Sequence, residues 1–137
     1  MCVRISDLRE DLNLLSSWEE RFEYVIDLGK DLPAFPENRK TEEYRVRGCM
    51  SRVWVYPRWE ETDNTRVFRL LVESDSAIVK GLAAVLVMRY DGVPEADLPE
   101  DSSDGLFSEL GFAEHISPSR RNGLAALEGR IRSFIDG

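Results

Sequence analysis

The sequence is short of cysteine and shorter still of histidine. Its 137 residues hold two cysteines, Cys2 and Cys49, and one histidine, His115. Structural zinc usually takes four Cys or His ligands, so this set excludes a zinc-built fold. Nor do two thiols this far apart form a disulfide framework, and a Cys2–Cys49 bridge is disfavoured in a reducing compartment. Positive charge is also scarce: 18 Lys and Arg stand against 26 Asp and Glu, a net charge of −8. Nucleic acid and anionic membrane surfaces both demand clustered cations, so neither is an expected partner. No apolar run approaches the roughly 18 residues of a membrane span. The opening "MCVRISDLREDLNLL" lacks the unbroken apolar core of a signal peptide, so the expected location is cytoplasmic, with reduced thiols.

What remains is ordinary in bulk. Hydrophobic residues at 42% and charged residues at 32% suit a single globular domain over residues 1–137. The charge is unevenly placed. Residues 44–59 carry Arg45, Arg47, Arg52 and Arg58 with no acid, and residues 90–119 carry eight acids with no Lys or Arg. Outside that acidic stretch the chain is neutral. Cys49 therefore lies on a basic island within an acidic protein. Arginines suit the solvent face of a strand; they can also tune a thiol or dock an acidic partner.

Periodicity sets the elements. Ile5, Leu8, Leu12 and Leu15 predict a first helix. "SWEE" at 17–20 is a capping box that opens a second helix, which Gly29 is expected to end in a left-handed conformation. Alternation predicts strands at 43–47, 51–59 and 65–73, with "EETDN" at 60–64 as a hairpin connection. Ser76 caps a third helix carrying Ile78, Leu82, Val85 and Leu86, whose Gly81, Ala83 and Ala84 permit close packing on the sheet. Leu106, Phe107 and Leu110 mark a short amphipathic piece. "SPSR" at 117–120 starts a last helix with Leu124, Leu127, Ile131 and Phe134 inward. The expected fold is α+β: a three-stranded antiparallel sheet with helices mainly on one face.

A thiol at a strand tip can be a nucleophile, a sulfur carrier, a metal ligand or inert. Its reactive form is the thiolate, which nearby arginines favour. His115, the only imidazole, makes a Cys49–His115 enzyme one alternative. A binding module with an incidental thiol is another. Cys2 is read as a terminal thiol with no role.

Four blocks of the chain resemble the SufE-like proteins, including the CsdE branch. They are "RVRGCMSRVW" at 45–54, "WEERFEYVIDLGKDLP" at 18–33, "SDSAIVKGLAAVL" at 74–86 and "HISPSRRNGL" at 115–124. Met50 departs from the glutamine frequent after the family's cysteine. The resemblance implies a SufE/NifU-like fold and a sulfur acceptor with no bound cofactor and no metal. A pyridoxal-phosphate cysteine desulfurase, SufS-like or CsdA-like, would hand persulfide sulfur to Cys49 and be stimulated by its removal. An iron–sulfur scaffold complex would receive it, and the acceptor would be a monomer or weak homodimer. Position by position, Cys49 is the acceptor, and Gly48, Ser51 and Trp54 shape its loop. Arg45, Arg47, Asp75 and Arg120 are assigned to support or docking.

Overall fold

The computed structural model describes residues 5–47, 51–112 and 115–137. In chain order the elements are α1 (Ile5–Asn13), α2 (Trp18–Lys30), β1 (Val53–Thr62), β2 (Thr65–Ser74), α3 (Ala77–Tyr90), β3 (Val93–Pro94), α4 (Asp104–Glu109) and α5 (Pro118–Asp136). The sheet is antiparallel with order β1-β2-β3, so the α+β architecture is the expected one.

Period-two alternation sets the two faces of the sheet. Val53, Val55, Phe68, Leu70 and Val72 are buried, whereas Trp54, Tyr56, Arg58, Arg69 and Leu71 are only half-buried. α3 packs on β2 and α5 on β1, both against the buried face. The β1–β2 connection is shorter than the expected 60–64 loop. Thr62 pairs with Thr65, and only Asp63 and Asn64 turn, with φ of 50° and 65°. Positive φ at both positions marks a type I′ hairpin turn, a conformation that Asp and Asn tolerate better than most residues.

One predicted strand is corrected. Residues 43–47 do not join the sheet as a strand. The chain makes a one-turn 3-10 helix at Glu42–Tyr44 and a single bridge, Arg45 to Trp54. The reason lies in α5: Arg130 donates to the carbonyls of Glu43 and Arg45, drawing them away from a ladder. The third strand is β3 instead, paired on the far edge of β2.

Gly29 is corrected too. α2 runs through it to Lys30, and Asp31 caps the helix in a right-handed conformation. Gly29 is buried because α2 meets α3 there. A Cβ on Gly29 would lie 2.8 Å from the Gly81 nitrogen, and one on Gly81 would lie 2.5 Å from the Val25 carbonyl oxygen. Gly81 thus serves contact with α2, where its sequence context suggested contact with the sheet. α3 is sandwiched, with every residue from Gly81 to Val87 buried. The Ser76 hydroxyl accepts from the Val79 amide at 3.3 Å, as a cap should.

Gly81→Ala is therefore expected to lower stability by about 1–3 kcal/mol through overpacking. Gly129→Ala, where a Cβ meets nothing within 4 Å on the exposed side of α5, is expected to add about 0.5–1 kcal/mol through helix propensity. Urea unfolding of both variants checks the pair, and equal effects would contradict the packing account.

Candidate functional site

Gly48 and Cys49, like Cys2, lie outside the described residues. The flanks of the cysteine loop do not, and both are anchored. On the incoming side, the Val46 amide donates to the Val53 carbonyl at 2.8 Å, and Arg130 holds the Arg45 carbonyl at 3.2 Å. On the outgoing side, Asp75 makes two bonds to Arg52: its Oδ1 accepts from the Arg52 amide at 3.0 Å, and its amide donates to the Arg52 carbonyl at 3.2 Å. Asp75 sits between the end of β2 and the Ser76 cap of α3. One residue thereby ties the loop exit to the start of a buried helix.

Beside this exit lies a cleft of about 300 Å³ lined by Ser51, Val79, Ser117, Ser119, Arg120, Gly123 and Leu124. Val79 belongs to the first turn of α3; Ser117 to Leu124 are the cap and first two turns of α5. Pro118 starts α5, and the Ser117 hydroxyl caps it by accepting from the Arg120 amide at 3.3 Å. Two helix N-termini converge here, each carrying the positive end of a peptide dipole. With the Arg120 guanidinium and three serines, the cleft suits a small anionic or polarisable group.

The other predicted residues divide. Ser51 and Arg120 line the cleft, and Asp75 stands at its edge. Arg45 and Arg47 do not line it: both pair with Glu42, at 3.6 and 2.8 Å. A single acid just before the basic island therefore engages two of its four arginines. Trp54 is on the half-buried face of the sheet, opposite Glu73. The ring of His115 stacks on Trp18, with centroids 3.5 Å apart, which commits one face of the imidazole to packing on α2. Its partner in the enzyme alternative, Cys49, is outside the described residues.

Sequence reasoning misses a buried carboxylate behind the cleft. Glu128 of α5 accepts from the Tyr90 hydroxyl and the Ser103 amide, each at 2.8 Å, from Arg89 at 3.3 Å, and from the Ser103 hydroxyl. Arg89 also binds Asp101 at 2.7 Å. The network fixes α5 to α3 and fastens the acidic segment to both. Its signal was present: Glu128 sits among Leu124, Leu127 and Ile131 on the inward face of the helix. Burial first, then donation to Glu128, push the Tyr90 phenol from 10.0 up to about 12.

Comparison with known proteins matches residues 6–135 to the SufE family, described as an Fe-S metabolism associated domain. The chain belongs to the SufE family. Among its relatives, an uncharacterized SufE-like protein of Rhizobium meliloti (strain 1021) is 34% identical over 133 residues, 97% of this chain and 95% of that protein. Another, from Rhizobium etli, is 34% identical over 128 residues, 93% of this chain and 86% of the relative. The solution structure of a hypothetical protein from Thermus thermophilus shares the fold. Its TM-score is 0.73 at 21% identity, covering 96% of this chain and 93% of that one. Membership ties this SufE protein to iron–sulfur metabolism. No helix among its described residues is long and apolar enough to cross a membrane.

The anchoring of the loop and the buried network are each open to test. Asp75→Ala is expected to raise hydrogen exchange at the Arg52 amide about tenfold by removing its acceptor, whereas Asp75→Asn, which retains an acceptor, leaves it near wild type. Amide exchange by NMR reads both variants. For Tyr90, the folded-state pKa is raised, so its stabilising contribution is complete below about pH 10 and is lost as pH rises through about 12. Tyr90→Phe is expected to cost about 1–2 kcal/mol near neutrality and to flatten the fall in stability over that alkaline window. Urea midpoints measured across the window test the sign.

Proposed function

We propose that this protein accepts persulfide sulfur on Cys49 from a cysteine desulfurase, stimulates that enzyme, and passes the sulfur on for iron–sulfur cluster assembly in the cytoplasm. The observation that carries the reading is the mounting of the Cys49 loop. Asp75 and Arg130 anchor its two flanks, and the anchored exit opens onto the cleft of Ser51, Ser117 and Arg120. Cys49 is two positions before Ser51, and two residues of chain reach at most about 7 Å. The cleft is therefore within the reach of the sulfur.

The chemistry is thiol exchange with a persulfide in place of a disulfide. The Cys49 thiolate attacks the outer sulfur of the donor's persulfide. The donor's sulfur–sulfur bond breaks, its thiolate departs with the electron pair, and Cys49 carries the new persulfide. No net oxidation occurs, and no general base is needed beyond whatever ionises the thiol. Helix N-termini and an arginine favour anionic sulfur over neutral thiol. The cleft then serves twice, raising the thiolate fraction before transfer and shielding the terminal sulfur after it. Emptying the donor's persulfide frees that enzyme for its next turnover, which accounts for stimulation. The pyridoxal phosphate that releases sulfur from free cysteine belongs to the donor.

Incubation with a cysteine desulfurase and cysteine is expected to add the mass of one sulfur atom to the protein, removable by dithiothreitol. Cys49→Ser is expected to gain nothing and to lose stimulation of the donor. If Cys49→Ser still accepts sulfur and still stimulates, the proposal fails. Intact-protein mass spectrometry alongside a sulfide assay gives both readings.

A further inference from the structure

The half-buried face of the sheet carries arginines that its own carboxylates leave unpaired: Glu60 and Glu73 share the face, but Glu73 is held by Lys80 at 3.0 Å and neither forms an ion pair with Arg58 among the described residues. Arg58 and Arg69 are direct cross-strand partners, a like-charge pairing that sheets normally avoid. Asp91 lies 3.2 Å from Arg69 Nε. Among the described residues no carboxylate meets Arg58, whose Nη1 is buried without a hydrogen-bond partner. A third guanidinium joins them. Arg39 lies 4.7 Å from the centre of the Tyr56 ring, Arg58 lies 5.2 Å from that same centre, and Arg39 donates to the Tyr44 hydroxyl at 2.7 Å. Among the described residues, Arg39 and Arg58 thus have no carboxylate at ion-pair distance and Arg69 has one, over an aromatic platform that Trp54 continues towards the Cys49 loop.

From these unpaired arginines we propose that the platform of Arg39, Arg58 and Tyr56 is a docking surface for carboxylates on the sulfur-donating enzyme. The inference rests on the function proposed above and extends it to a surface outside the cleft. Charge identifies the occupant as acidic. Shape identifies it as a protein, because a flat sheet face rich in Tyr, Trp and Arg has the makeup of interface hot spots, whereas small ligands favour concave pockets. Continuity identifies which protein. Trp54 bridges Arg45 at the mouth of the loop, and a strand rises about 3.3 Å per residue, so Arg58 lies only about 13 Å farther along. An enzyme that covers Cys49 with a typical footprint of about 800 Å² extends that far. Its carboxylates would separate the opposed arginines electrostatically and speed encounter more than they tighten the final complex.

The test measures sulfur loading of Cys49 at increasing concentrations of this protein with a fixed amount of desulfurase. Arg39→Glu/Arg58→Glu is expected to raise the half-saturating concentration about tenfold or more, with the saturating rate within about twofold of wild type. Arg58→Lys keeps the charge and is expected to stay near wild type. Arg58→Gln removes the charge without reversing it, and a rise of about threefold supports the inference even where the double variant folds poorly. Added salt should weaken loading of wild type more than of Arg58→Gln. Unchanged half-saturation in folded Arg58→Gln and in the double variant overturns the docking surface while leaving the sulfur-acceptor function standing. Wild-type protein that takes no sulfur at all overturns both.

Discussion

The close approach of α2 to α3 at Gly29 and Gly81 is the constraint on which the site depends. With backbone this near to backbone, α3 can lie between α2 and the sheet, buried on nearly every side. A helix held so firmly makes a fixed reference at its N-terminus, where Ser76 caps it and Asp75 reaches the Arg52 amide. The loop exit inherits its position from that helix. Side chains in place of the two glycines would push the helices apart and carry Asp75 away from Arg52, although neither glycine lines the cleft.

The second support comes from α5. Its first two turns form one wall of the cleft, its Arg130 holds the carbonyls before the cysteine loop, and its Glu128 locks it to Tyr90 of α3. Both helices therefore aim their N-termini at one place because they are tied to each other behind it. The acidic segment takes part in this bracing. It has no cation of its own, yet Asp91, Glu95, Asp101 and Glu109 meet Arg69, Arg66, Arg89 and Arg9 from other elements. Much of its charge is internal fastening, which makes the negative surface smaller than the sequence suggests.

What was legible in the sequence was whatever local rules decide. The Ser17, Ser76 and Ser117 caps, the helical periodicities and the two long strands all follow from neighbouring residues. Long-range partners overruled local preference elsewhere. Residues 43–47 alternate like a strand, but Arg130, more than eighty positions later, claims their carbonyls. Gly29 has the context of a helix end, and only the facing Gly81 explains why the helix continues. The island of arginines is uniformly basic in the sequence, but the fold pairs Arg45 and Arg47 with Glu42 and leaves Arg58, among the described residues, without a carboxylate. At the site, the cysteine and its flanking motif were readable from pattern. The resemblance singled out Asp75 and Arg120, but the bonds of Asp75 to Arg52 and the cleft around Arg120 were not readable, because they join segments far apart in the chain.

If Cys49 is the seat of sulfur transfer, the rest of the fold is its mount. Following the sulfur itself tests this most directly. The protein is loaded by a desulfurase supplied with cysteine labelled at sulfur and then cleaved with trypsin without reductant. Cleavage after Arg47 and Arg52 isolates the peptide "GCMSR". Protein-bound label is predicted to be confined to that peptide. Label on the N-terminal peptide with Cys2, or label that leaves only as free sulfide without ever residing on Cys49, would contradict it.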